Sequence, residues 1–185
     1  MPGSKFIFLD RDGVINEFPG PGGYVTDWKK FRFIPKSAEA IALLSRAGFE
    51  IAVISNQGGV SKGLMTSEDL KRLTRQMLEA VKKKGGKIAG VFYCEHQTSD
   101  RCDCKKPKPA LFYRAIGGRA ADWKSIFFIG DSREDILAGK ALGCKTLMVL
   151  TGRLKEKDIP ALPAKPDAVK KDLWEAARWI IQKKY

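Results

Sequence analysis

An unbroken apolar run, Phe6-Ile7-Phe8-Leu9, stops at Asp10-Arg11-Asp12-Gly13. No other stretch narrows the possible folds as far. A short apolar run without polar alternation reads as a strand covered on both faces, and such strands belong to parallel sheets flanked by helices. Asp10 and Asp12 then stand at the carboxyl end of that strand. In extended chain, residues i and i+2 face the same side, so the two carboxylates address one space and repel each other. A hard cation such as magnesium, a proton, or both would relieve the repulsion. A solvated Asp-Gly turn between two core elements would use the same residues.

The pattern recurs along the chain. Ile51-Ala52-Val53-Ile54 runs into Ser55-Asn56-Gln57-Gly58-Gly59, and Ser125-Ile126-Phe127-Phe128-Ile129 runs into Gly130-Asp131-Ser132-Arg133-Glu134-Asp135. Residues 88–93 and 145–150 are two further apolar strands, the second closed by Thr151-Gly152-Arg153. Helical periodicity fills the gaps. Ala38, Ile41 and Leu44 mark a helix over 35–48, and Leu70, Leu73, Met77 and Val81 mark a longer one over 66–84 with Thr66 or Ser67 as N-cap. Pro109 opens a helix through Leu111, Phe112 and Ile116, and another follows Asp131 with Ile136, Leu137, Ala141 and Leu142. Asp172 caps a last one with Leu173, Trp174, Ala177, Ile180 and Ile181 inward, and residues 154–171 read as a surface connection.

Strands alternating with helices predict an α/β fold, a Rossmann-like three-layer α/β/α sandwich around a central parallel sheet. Ligands of such sheets bind outside the carboxyl ends of the strands. That rule gathers Asp10, Asp12, Ser55, Asn56, Lys106 and Asp131 at one edge. Ser55 and Asn56, with nearby backbone N–H groups, suit an oxyanion or phosphate nest, or a turn that uses them for local bonds. Glu17-Phe18-Pro19-Gly20-Pro21-Gly22-Gly23-Tyr24 continues neither helix nor strand and must lie near the rim of the site. Tyr24 fits either a cover over the ligand or a surface aromatic.

Cys94-Glu95-His96 and Cys102-Asp103-Cys104 bring the single histidine and three of the four cysteines into eleven residues. Cys₃His is a tetrahedral zinc set with no open position, so zinc there would tie a loop, not catalyse. Free thiols in a loop are the alternative. Cys144 stands apart, as a buried small residue. Lys105-Lys106-Pro107-Lys108 follows at once. A loop tied by metal could hold an ammonium in a fixed place, although lysine runs are often just solvated.

The 185 residues suit one domain, and a net charge of +13 suits an anionic ligand, whether a phosphorylated metabolite or a nucleic acid. No apolar run approaches the length of a membrane span, and the N-terminal residues lack the pattern of a signal peptide. A cytoplasmic address and a monomer are expected, with no membrane partner.

The motifs and their order resemble the haloacid dehalogenase-type phosphatases over nearly the whole chain. The signatures that carry this are Asp10-x-Asp12, Ser55-Asn56, Lys106-Pro107 and Gly130-Asp131-x-x-x-Asp135. Within that superfamily, residues 9–16, Ser55-Asn56-Gln57-x-Gly59 and the Cys/His loop before Lys106-Pro107 are similar to the group that removes the C7 phosphate of D-glycero-D-manno-heptose 1,7-bisphosphate, related to the histidinol-phosphate phosphatases. The resemblance implies a haloacid dehalogenase-like fold without a large cap domain, one phosphatase domain over 1–185 with a zinc loop at 94–104, and a phosphorylated sugar as substrate in heptose precursor synthesis. Asp10 would be the nucleophile of an aspartyl-phosphate and Asp12 the general acid and base. Mg²⁺ would be held by Asp10, the backbone carbonyl of Asp12, and Asp131. Ser55 and Lys106 would hold phosphoryl oxygens, and Asp135 would orient its neighbours. Cys94, His96, Cys102 and Cys104 would hold structural Zn²⁺. Arg11, Gly23, Tyr24, Asn56, Gln57, Lys105 and Ser132 stand as candidate substrate contacts. Three features depart from the group: Lys105 where arginine is common, Ala110 where glycine is common, and a longer loop at 19–23. Histidinol-phosphate phosphatase and nucleic-acid 3′-phosphatase are alternatives on the same scaffold. The absence of a series of base-stacking aromatics argues against nucleic acid, and the complete acidic set argues against a non-catalytic anion-binding module.

Overall fold

The computed structural model of the protein describes residues 5–183. Among these, six strands form one parallel sheet: β1 (Phe6–Leu9), β2 (Glu50–Asn56), β3 (Gly90–Cys94), β4 (Phe127–Gly130), β5 (Lys145–Val149) and β6 (Ala168–Lys170). Their order across the sheet is β3-β2-β1-β4-β5-β6. The chain winds outward from β1 to one edge, then returns to the middle and winds to the other. The reversal of direction therefore falls between β1 and β4, where the crevice of such a sheet opens. In register, Leu9 pairs with Val53 on one side and Ile129 on the other, and β2 runs three residues further, to Asn56, so Ser55 and Asn56 stand beside the chain that leaves β1.

Alternation along β1 explains the layers. Ile7 and Leu9 join a core with Val53, Ile129, Leu147 and the helices α1 (Ser37–Arg46), α2 (Ser67–Lys83) and α5 (Leu173–Gln182). Phe6 and Phe8 face the opposite way, onto α3 (Ala110–Ile116) and Ala138 of α4 (Arg133–Leu142). Phe112 meets Phe8 and Phe128 edge to face, at 5.3 and 5.0 Å between ring centres. Every residue of β1 is buried, which is why this strand carries no polar alternation.

The helix starts follow the expected chemistry. Thr66 caps α2 through the Asp69 N–H, and the Asp69 side chain accepts from Thr66 N–H in return. Asp172 caps α5. Trp174 and Ile181, expected inward on α5, pack against the core only in part. Residues 154–171 correct the expectation of a plain connection. Glu156–Ala161 form a 3₁₀ helix, and Ala168–Lys170 add the edge strand β6. Three residues are too few for a period-2 signal, so tertiary pairing with β5 makes this strand. No helix among the described residues is long and apolar enough to cross a membrane.

Candidate active site

Asp10 leaves β1 as the next rung of the ladder, its N–H donating to the Ile129 carbonyl at 3.0 Å. Its Oδ1 accepts from Arg11 N–H and lies 3.0 Å from Lys106 Nζ. Lys106 is buried, and its ammonium also donates to Asp135 Oδ1 at 2.6 Å and to the Ile54 carbonyl at 2.8 Å. An ammonium has three donors, and these three acceptors use them all. Burial opposes its charge, but Asp10 and Asp135 outweigh that, and Lys106 holds its proton above the ordinary lysine range. Asn56 fixes the loop that delivers it: its side-chain amide accepts from Lys106 N–H at 2.9 Å and donates to the Lys106 carbonyl at 3.2 Å.

Asp135 is spent on neighbours, as expected. Its Oδ2 accepts from the Ser132 hydroxyl at 2.6 Å and from the N–H groups of Asp131 and Ser132. Ser132 is the N-cap of α4. Asp131 differs. Its Oδ2 accepts from Arg153 N–H at 2.6 Å, while its Oδ1 is buried without a hydrogen-bond partner. The carboxylate lies in a slot between two backbones. A Cβ on Gly13 or on Gly152 would land inside it, and Gly13 also has φ +85°.

Asp10, Asp131 and Asp135 present oxygens all within 4.8 Å of one another, and all three residues are buried. Three carboxylates face a single ammonium. Burial raises the Asp10 carboxyl against the pull of Lys106, and burial together with repulsion from Asp10 and Asp135 raises Asp131 well above the usual range. Excess buried negative charge and one orphaned carboxylate oxygen fit a hard divalent cation with oxygen ligands. Asp10 and Asp131 are the carboxylates able to hold it, since both oxygens of Asp135 are taken.

The Asp12 carboxylate is not part of this group. Its Oδ1 accepts from Arg11 Nε and Nη2 and from Asn16 Nδ2 at 2.8 Å, and its Oδ2 accepts from Arg11 Nη2 and Gln57 Nε2, the latter at 2.8 Å. A metal role for Asp12 is thus left to its backbone carbonyl. Two expected substrate contacts are corrected here. Arg11 and Gln57 are both wholly buried, and both serve Asp12 instead of facing the cavity. Arg11 is sandwiched further by the Tyr93 ring, 5.7 Å from its guanidinium carbon.

A cavity of about 250 Å³ opens over these groups, lined by Asp10, Asp12, Tyr24, Ser55, Asn56, Gly58, Lys105, Lys106, Ser132, Glu134 and Arg153. Gly23 is absent from its wall, and the Ser132 hydroxyl is engaged in capping α4. Ser55 supplies a hydrogen bond that favours the Asp10 carboxylate. Lys105 reaches back to Thr98 Oγ1 at 3.0 Å. Gly58, Glu134 and Arg153 were not singled out from the sequence as site residues. Arg153 had a legible signal, since it closes a strand whose carboxyl end faces the same crevice.

The Cys/His residues lie beside this wall. Cys94 Sγ is 3.5 Å from Cys102 Sγ, Cys102 is 3.6 Å from Cys104, and His96 Nδ1 is 3.3 Å from Cys104 and 3.8 Å from Cys94. A disulfide needs about 2.05 Å between sulfurs. Sulfurs at the corners of a tetrahedron with metal–sulfur bonds of about 2.3 Å lie about 3.8 Å apart. The four ligand atoms therefore have the spacing of a zinc site. Burial pushes the Cys94 thiol up to about 12. For Cys102, burial is overcome by hydrogen bonds from Cys94 and from backbone N–H groups, which bring it down to about 7.

Buried acids at the switch point of a parallel sheet, with a fixed ammonium and an open cavity, define a phosphoryl-transfer type of site. A family model described as HAD-hydrolase-like matches residues 103–176. D-glycero-β-D-manno-heptose-1,7-bisphosphate 7-phosphatase of Pseudomonas aeruginosa is 39% identical over 150 residues, covering 80% of this chain and 83% of the relative. D-glycero-D-manno-heptose-1,7-bisphosphate 7-phosphatase of Chlorobaculum tepidum is 34% identical over 98% of this chain and 96% of its own. The crystal structure of D,D-heptose 1,7-bisphosphate phosphatase from B. bronchiseptica, complexed with magnesium and phosphate, superposes with a TM-score of 0.88 at 30% identity, covering 97% of this chain and 99% of that one. The chain belongs to the haloacid dehalogenase-like hydrolases, in the family of the heptose 1,7-bisphosphate 7-phosphatases.

Proposed function

We propose that the protein removes the C7 phosphate of D-glycero-D-manno-heptose 1,7-bisphosphate through an aspartyl-phosphate on Asp10, as one phosphatase domain. The observation that carries the reading is the meeting of Asp10, Lys106 and Asp131 at the sheet's point of reversal, beneath a cavity in a chain so closely related to phosphatases of this bisphosphate. Asp10 attacks the phosphorus, and the ester oxygen leaves with a proton from Asp12. Asp12 then takes a proton from water. The water oxygen bonds to phosphorus, the Asp10–phosphate bond breaks, and inorganic phosphate departs. All present partners of Asp12 are donors, so one of them gives way when Asp12 carries its proton. Asp10, Asp131 and the Asp12 carbonyl would hold Mg²⁺, whose charge lets an anionic carboxylate approach an anionic phosphate. Ser55 and Lys106 stabilise phosphoryl oxygens, Lys106 exchanging one of its present acceptors for the substrate. Tyr24, Asn56 and Lys105 line the way in.

Zn²⁺ on Cys94, His96, Cys102 and Cys104 ties residues 94–104 and steadies the approach to Lys106. The test measures phosphate release with Mg²⁺ from both anomers of the bisphosphate, beside histidinol phosphate and a 3′-phosphorylated oligonucleotide. Turnover of either anomer far above the others is expected. Turnover of only one of the other two would overturn the substrate. Metal analysis of the purified protein is expected to give one zinc per chain, and its absence would remove the zinc assignment.

A further inference from the structure

Three cations line the cavity, and they are not equivalent. Lys106 has all its donors engaged, and Lys105 donates to Thr98 Oγ1 at 3.0 Å. The Arg153 guanidinium has no carboxylate or carbonyl partner among the described residues. Its recorded contact is with the Phe18 ring, whose centre lies 4.8 Å from the guanidinium carbon. A guanidinium over a ring keeps its edge N–H groups free, in the fork that matches a phosphate.

The backbone beneath Arg153 is fixed. Its own N–H donates to Asp131 Oδ2, and Leu154 N–H donates to the Asp131 carbonyl at 3.1 Å. The Thr151 hydroxyl donates to the Gly13 carbonyl at 2.6 Å, and Lys155 Nζ donates to the Gly152 carbonyl at 3.0 Å. An exposed arginine with free donors thus rises from a braced loop at the rim of the site. Phe18 belongs to the Gly/Pro-rich loop that also brings Tyr24 into the cavity wall. Glu134 also lines the cavity, and its carboxylate suits sugar hydroxyls while disfavouring a phosphate at its own position.

We propose that Arg153, steadied by Phe18, binds the distal phosphate of the substrate, the one that is not hydrolysed, and so sets the preference for a bisphosphate over a monophosphate. This rests on the proposed substrate class. It asks nothing of Arg153 in the chemical step. Charge-assisted hydrogen bonds of this kind are worth about 10- to 100-fold in affinity.

The experiment compares wild type, Arg153→Gln, Arg153→Lys and Phe18→Leu, each with Mg²⁺, on the heptose 1,7-bisphosphate and on the heptose 7-monophosphate. For Arg153→Gln the expected result is a KM for the bisphosphate raised about 10- to 100-fold, with the bisphosphate-to-monophosphate ratio of kcat/KM falling by the same factor. Arg153→Lys should recover part of that ratio, and Phe18→Leu should lower it about threefold, having removed no donor. Equal losses on both substrates, or an unchanged ratio, would overturn the role of Arg153. A wild-type enzyme that turns over phosphate esters without preferring the bisphosphate would overturn the substrate class, and the distal contact with it.

Discussion

Two centres lie side by side in this molecule and are built in opposite ways. The carboxylate–lysine centre is assembled by the fold. β1, β4 and the α4 cap deliver Asp10, Asp131 and Asp135, and Lys106 partly neutralises them at 3.0 Å from Asp10 and 2.6 Å from Asp135. The Cys/His centre begins at Cys94, the last residue of the edge strand β3, and continues on a segment with one short 3₁₀ turn, Thr98–Asp100. There the four side chains are the main link between the ends of the loop. A buried ion network is sustained by packing around it, whereas a metal-tied loop depends on its metal. The two meet at one clamp, the Asn56 amide on the backbone of Lys106.

If the first centre is built by the fold, it can lose its chemistry and keep its shape. Asp10→Asn is expected to reduce phosphate release by more than about four orders of magnitude while the unfolding transition stays cooperative. A variant that turns over at a tenth of the wild-type rate would show that the nucleophile lies elsewhere. Lys106→Met tests the same centre through stability. It strands Asp10 and Asp135 without a counter-charge, and urea unfolding should fall by about 3–5 kcal/mol, the cost of breaking a buried pair from one side. Arg11→Lys loses the bidentate grip on Asp12 and should lower kcat by about 10- to 100-fold with little change in KM, since Arg11 does not line the cavity. A change confined to KM would return Arg11 to substrate binding. Stripping the proposed zinc should have the smallest effect on the whole. Amide exchange should quicken over residues 94–108, protection of β1 and β4 should persist, and turnover should fall roughly tenfold as Lys106 loses one side of its support. Simultaneous loss of protection in β1 would erase the contrast.

Strand ends were the legible part of the site. An apolar run halting at a polar residue is visible in any sequence, and Asp10, Ser55 and Asp131 each follow that rule. Lys106 was legible through the cysteine loop before it. What the sequence hid were decisions made by packing. Arg11 lies between two acids that face the cavity, and the pleat turns it inward to hold Asp12. Gln57 follows it into the same buried network. β6 was hidden because three residues carry no period. Arg153 was legible as a strand end, but its place over the cavity was not, since that depends on a long-range bond, Thr151 to Gly13. The fold was more legible than the site, since periodicity is local and hydrogen-bond partners are not.

Gly13 and Gly152 carry no chemistry, yet each occupies a position where one added carbon would displace Asp131. The mutational freedom of this enzyme is therefore narrower than its reactive groups suggest. At two positions that a survey of functional groups would pass over, any side chain must move Asp131, and a library aimed at a new substrate does better to vary Lys105, Arg153 and the Phe18 ring against it.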